Sequence, residues 1–135
     1  MANYTVYFRS NYFAVKDVAQ FQSFCDEFQL ELITKRDASE PLYGFLNQGN
    51  EGGLPTARYD EVTQDWEDAD LLRTLATHLV EDYVAIVMEV GFEKMRYLVG
   101  EAHAVNAKGE IINVELDEIY GRAASLGRKG TSCAE

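Results

Sequence analysis

The sequence predicts an α+β fold: a mostly antiparallel sheet of about six strands with three helices, the helices mainly on one face. Three observations predict it. Short β-branched and aromatic runs recur between turn signals. Three segments carry apolar residues at helical spacing behind an acidic cap. Successive strands are joined by turns too short for a crossover helix, so they pair antiparallel and leave the helices to one side.

Residues 3–9 are aromatic and β-branched and read as the first strand. Asp17, with Gln20 three residues on, has capping-box spacing, and Val18, Phe21, Phe24, Cys25 and Phe28 follow as the apolar stripe of a helix. Leu30 to Lys35 alternates as a strand. The stretch from Asp37 to Pro41 reads as a turn, and Leu42 to Leu46 returns as the other arm of a hairpin. Residues 48–53 are glycine-rich and read as a loop, with a short edge strand at Pro55 to Tyr59. The second helix carries Leu71, Leu72, Leu75, Ala76 and Leu79, and Asp65, Glu67, Asp68 and Asp70 fall where they would stabilise its N-terminus. Tyr83 to Val90 is almost continuously apolar, which predicts a central strand covered on both faces and broken by Gly91. Met95 to Asn106 is a long strand. Asn106 to Gly109 is a hairpin turn, and Ile111 to Glu115 returns. Asp117 is placed to cap a third helix with Ile119, Tyr120, Ala123 and Leu126 on its stripe and Gly127 at its end.

One domain spanning residues 1–127 accounts for this pattern, and residues 128–135 read as a flexible tail. At 135 residues with 47% hydrophobic content, the chain can form a core without disulfides or metal. No apolar run approaches a membrane span, and no signal-peptide pattern opens the sequence, so the expected location is the cytoplasm. The two cysteines, Cys25 on a helical stripe and Cys133 in the polar tail, agree with a reducing compartment.

The formal net charge of −11 disfavours nucleic acid and anionic membranes as partners. It is unevenly placed. Residues 60–93 hold ten acidic side chains and one basic, whereas residues 94–135 hold six of each. The run Asp60, Glu61, Asp65, Trp66, Glu67, Asp68 and Asp70 is therefore the candidate binding surface. Its carboxylates would steer a basic protein, and an aromatic ringed by charge is a frequent hot-spot composition.

Weaker catalytic candidates lie on the long strands. Glu101 and His103 are two apart, so they share a face, and a carboxylate beside an imidazole can orient a general base. Glu89 interrupts an apolar run and would need a partner, for which Lys94 and Arg96 are nearest in sequence. His78 sits at the end of the second helix, where the helix dipole accounts for it. The glycine-rich loop matches no phosphate-binding pattern, and no nucleophile, zinc or dinucleotide motif is present. The sequence thus calls for no metal and no cofactor.

The segments from Val105 to Glu110, Leu116 to Tyr120 and Ala124 to Gly127 resemble small uncharacterised bacterial α+β proteins of mobile elements, of the integron-cassette or phage type. That resemblance implies a bacterial origin and carries no activity with it. The reading that results is a non-enzymatic protein-binding module using the acidic surface around residues 60–70. The alternatives are a small-ligand binder or enzyme near Glu101 and His103, and a nucleic-acid mimic that inhibits a defence or regulatory protein. Homodimerisation through uncovered sheet edges or the aromatic first strand is compatible with each.

Overall fold

The computed structural model describes residues 4–36, 39–48, 54–93 and 97–127. Its elements are β1 (Tyr4–Ser10), α1 (Val18–Glu27), β2 (Leu30–Lys35), β3 (Leu42–Asn47), β4 (Ala57–Asp60), β5 (Asp65–Asp68), α2 (Leu71–Ala76), β6 (Val84–Glu93), β7 (Tyr97–Asn106), β8 (Ile111–Glu115) and α3 (Glu118–Ala123). Six strands form one antiparallel sheet in the order β2-β3-β1-β6-β7-β8, and β4 and β5 form a separate two-stranded ribbon. The α+β class and the mostly antiparallel sheet follow the sequence reading.

The core occupies the sheet face that carries α1 and α2. From α1 come Phe21, Phe24 and Cys25; from α2 come Leu71, Leu75 and Ala76. They meet Phe8, Phe45, Ala85, Val87 and Val105 from the strands. The helix α1 begins where the sequence places it, because Asp17 Oδ1 accepts the Gln20 N–H at 3.2 Å. Phe13, Phe21, Phe24, Phe28 and Phe45 form a chain of ring contacts 5.0–6.3 Å between centroids. Val18, assigned to the stripe by its spacing, is exposed at the first turn.

β1 joins the two halves of the sheet in different ways. Against β6 it makes a continuous ladder from Tyr4↔Glu93 to Ser10↔Val87. Against β3 the ladder is broken, and side chains complete it. Asn47 Nδ2 donates to the Val6 carbonyl at 3.0 Å. Ser10 Oγ donates to the Asn11 carbonyl at 2.8 Å and accepts the buried Phe45 N–H at 2.9 Å. Gly44 sits beside this crossing; a Cβ there would lie 2.6 Å from the Asn11 carbonyl oxygen and 2.8 Å from Ser10 Oγ. On the other side, the Asn11 amide extends the β6 ladder, accepting the Ile86 N–H at 2.7 Å and donating to the Val84 carbonyl at 3.0 Å.

Four expectations are corrected. Asp65, Glu67 and Asp68 do not precede a helix: they form β5, and only Asp70 caps α2, accepting the Arg73 N–H at 3.2 Å. Cross-strand pairing of Tyr59 with Trp66 and Arg58 with Glu67 outweighs the low strand propensity of acidic residues. Second, β6 is central but covered on one face only. Ala85 and Val87 point into the core, while Val84, Ile86, Met88, Val90 and Phe92 are exposed on the other side, Met88 to 58%. A strand apolar on both faces reads the same whether one face or two are covered, so composition alone misleads here. Third, Gly91 does not end the strand. It is buried in register between Val6 and Val99, and pairing runs on to Glu93. Fourth, α3 buries no residue and ends at Ala123, short of Gly127; Ile119 and Leu126 are exposed. The hairpin at Asn106 does form as expected, with Gly109 at φ +86° and the Asn106 side chain accepting the N–H groups of Lys108 and Glu110. The glycine-rich loop at residues 49–53, Lys94, Arg96 and the tail at 128–135 lie outside the described residues.

The Ser10 hydroxyl is the buried polar link between β1 and β3, so Ser10→Ala should leave the Phe45 N–H without an acceptor. The expected loss is about 1–3 kcal/mol of stability, measured by urea denaturation against Ser125→Ala, whose hydroxyl is exposed.

Candidate functional site

The acidic candidates gather on the β4–β5 ribbon. All four residues of β5 are exposed, and the turn from Glu61 to Gln64 that joins the strands puts Gln64 at φ +56°. Trp66 does not tuck into the core. It is 49% exposed and meets Tyr59 edge-on across the ribbon, 5.4 Å between centroids at 68°.

Between the ribbon and α1 lies a groove of about 390 Å³. Five carboxylates line it: Asp60, Glu61 and Glu67 from the ribbon, Asp26 and Glu27 from the end of α1. The single cation in the groove is Arg58. Its Nε donates to Glu67 Oε1 at 2.6 Å, and Nη1 lies 3.9 Å from Glu27 Oε2. The hydrogen bond to Glu67 and the charge of Glu67, against an opposing desolvation and with help from Glu27 and Asp60, push the guanidinium pKa above its ordinary value. Arg58 is thus held as a crosslink between ribbon and helix, and carboxylates remain in excess around it. Asp65, Asp68 and Asp70 do not line this groove. Asp65 Oδ1 accepts the Trp66 N–H at 2.8 Å, Asp70 caps α2, and Asp68 with Asp70 borders a second, more apolar groove with Leu54, Leu71 and Leu72.

Sequence spacing missed the contribution of α1. Asp26 and Glu27 stand more than thirty residues before Asp60, and only the packing of α1 beside β4 brings them together. No local signal marks such a pairing.

Glu89, Glu101 and His103 all point to the helix-bearing face, beside the core and not within it. Glu89 and Glu101 are direct cross-strand neighbours, and Glu115 of β8 is the next in the same row. His103 is held between two acceptors: its Nε2 lies 3.4 Å from Glu101 Oε2, and its Nδ1 lies 2.6 Å from Asn113 Oδ1. A side chain only 17% exposed and so braced has a fixed ring orientation, as a proton relay requires. Among the described hydrogen bonds, none joins it to a serine, threonine or cysteine. Glu89 finds its partner in the backbone, its Oε2 accepting the Leu54 N–H at 2.7 Å. Five grooves on the described surface are lined by other residues and by none of these three. Among the described residues, no three histidine, cysteine, aspartate or glutamate side chains converge as metal ligands. No helix there is long and apolar enough to cross a membrane.

The helix dipole is not what surrounds His78. The residue lies past the end of α2, its ring 5.2 Å from that of Phe24 and 6.2 Å from that of Phe21. Burial, assisted by the charge of Lys16, pulls its pKa below the ordinary 6.5. Cys25 is fully buried against the aromatic cluster, and burial, with Asp26 adding to it, pushes its thiol up to about 12.

No protein-family model matches the chain, and neither the curated proteins nor the solved structures contain a match.

Two outcomes follow from the buried groups. Because the folded state holds His78 neutral, the unfolded chain binds the proton more tightly. Stability should therefore be complete above pH 6.5 and decline as pH falls below that value, levelling off below the lower folded pKa. His78→Gln should flatten this segment of a stability-against-pH curve relative to the native chain. In a Cys133→Ser background, Cys25 should stay unreactive to a thiol-specific chromogenic reagent at neutral pH and react fully once the chain is denatured.

Proposed function

We propose that this chain is a non-enzymatic protein-binding module that engages a basic partner through the β4–β5 ribbon and the groove beside α1. The observation that carries the reading is the half-exposed Trp66, backed by Tyr59 on a ribbon whose neighbouring groove holds five carboxylates against one cation. The aromatic pair supplies apolar contact area at low entropic cost. The carboxylates supply steering and orientation for Lys or Arg side chains. Arg58 keeps the ribbon and α1 in fixed relation, so the partner meets a preformed groove.

The free, buried Cys25 suits a reducing compartment, and the proposal places the module and its partner in the cytoplasm. The resemblance to mobile-element proteins fits such a role, since an acidic surface of this kind suits the inhibition of a basic host or defence protein. The braced Glu101–His103–Asn113 arrangement is read as structural, because it borders none of the five grooves.

The test is a pull-down from lysate with the native chain, with Trp66→Ala and with Asp60→Asn/Glu61→Gln. Captured partners should be lost with Trp66→Ala, and their association rate should fall roughly tenfold or more with the charge variant or on raising salt. A partner held equally by all three proteins at every salt concentration overturns the reading. Competition by duplex DNA would identify the partner as a nucleic-acid-binding protein.

A further inference from the structure

The sheet has a second surface that the acidic groove does not touch. We propose that its outward face, opposite α1 and α2, closes against the same face of a second copy, giving a homodimer of two stacked sheets with α1 and α2 outside.

The outward positions of β6, β7 and β8 contain no charged residue: along β6 they are Val84, Ile86, Met88, Val90 and Phe92, and Ile112 and Val114 continue the surface on β8. In a chain with 35 charged residues among 135, counted as 12 basic and 23 acidic, a charge-free wing of this size is a departure from the rest of the surface. Among the described strand positions, the charges that share the face are Glu31 and Lys35 on β2, at its other end, and Arg9 on β1, beside Met88. The Arg9 and Lys35 cations each lie 6.0 Å from the Tyr12 ring. Among the described strand residues the face thus carries one carboxylate against two cations, although the chain as a whole stands at −11. Two acidic molecules meet there without the carboxylate repulsion that the ribbon would impose.

Size and shape agree with a second copy as the occupant. Six strands about 4.8 Å apart, each roughly seven residues long at about 3.4 Å per residue, present on the order of 700 Å². Doubled across a two-fold axis, that approaches the roughly 1,600 Å² of a standard stable interface. A twisted sheet is complementary to an identical twisted sheet at about −30°, with side chains interdigitating. A groove of about 430 Å³, lined mostly by apolar groups of Tyr7, Leu46, Met88 and Val90 with Arg9 at its side, offers room for that interdigitation. A two-fold axis over β6 and β7 would bury the charge-free wing on itself, with Arg9 flanking it beside Met88 and with Glu31 and Lys35 of β2 at a solvated rim. The contact is face to face, so the open backbone edges of β2 and β8 are not paired by it.

Light scattering on the purified chain tests it. The native protein should have twice the 15.2 kDa chain mass, and Met88→Lys/Val114→Lys should halve it. Val62→Lys, at a fully solvent-facing position on the ribbon turn, and Asp60→Asn/Glu61→Gln should leave the dimer mass unchanged. A native monomer at high concentration, or a dimer that survives the double lysine variant, overturns the proposal. Should that variant fail to fold by circular dichroism, Met88 oxidation by peroxide in the native chain decides, read by peptide mass spectrometry. Its rate should drop as protein concentration rises through the dimer range, and a rate independent of concentration overturns the proposal.

Discussion

The six-stranded sheet is continuous because one strand, β1, pairs on both sides, and on the β3 side that pairing depends on two polar side chains. The β2–β3 hairpin and the β6–β7–β8 meander are each held by unbroken ladders. Between them, the backbones of β1 and β3 meet in register only around Arg9↔Leu46. Ser10 and Asn47 satisfy the groups that the broken ladder leaves open, and Asn11 does the same at the end of the β6 side. An unpaired backbone group in this position, beside the aromatic core, would cost more than any single apolar contact there returns. α1 rests on this junction: Phe24 touches Phe45 directly, and Phe13, just beyond β1, meets Phe21. The placement of α1 in turn brings Asp26 and Glu27 to the ribbon, so the acidic groove depends on the same seam.

The parts of the fold that could be read from sequence are those with local causes. The Asp17 cap, the phenylalanine stripe, the Asn106–Gly109 turn and the alternation of β2 all depend on neighbours within a few residues, and each formed as expected. The misreadings share a different cause. Acidic residues ahead of an apolar stripe look like helix N-terminal charge, yet Asp65 to Asp68 pair with β4 because Tyr59 and Trp66 find each other across the ribbon. The spacing at Ile119 and Leu126 looks like a core stripe, but among the described residues α3 buries none of its own. In both cases a tertiary contact, made or missing, decided the outcome, and periodicity carries no information about it. The candidate site divides the same way. Asp60, Glu61 and Glu67 were visible as a run of charge, whereas the α1 carboxylates and the Tyr59–Trp66 contact were not.

The molecule separates its surface chemistry by position. The ribbon concentrates exposed carboxylates around an aromatic pair, and the outward sheet face from β6 to β8 is apolar and uncharged. These two surfaces lie on opposite sides of the core layer, since the groove is built against α1 and the apolar face looks away from it. A partner at one therefore leaves the other accessible, and charge on the ribbon does not burden the sheet face.

The arrangement of β1 also bears on synthesis. Its partner β6 is translated about eighty residues later, and its β3 seam alone cannot satisfy its backbone. Until the chain reaches that point, an aromatic strand waits with one edge open, the form most prone to mispairing with other chains. The strand that joins the two halves of the sheet thus stays half-paired until β6 is made, whereas the β2–β3 hairpin forms locally beside it.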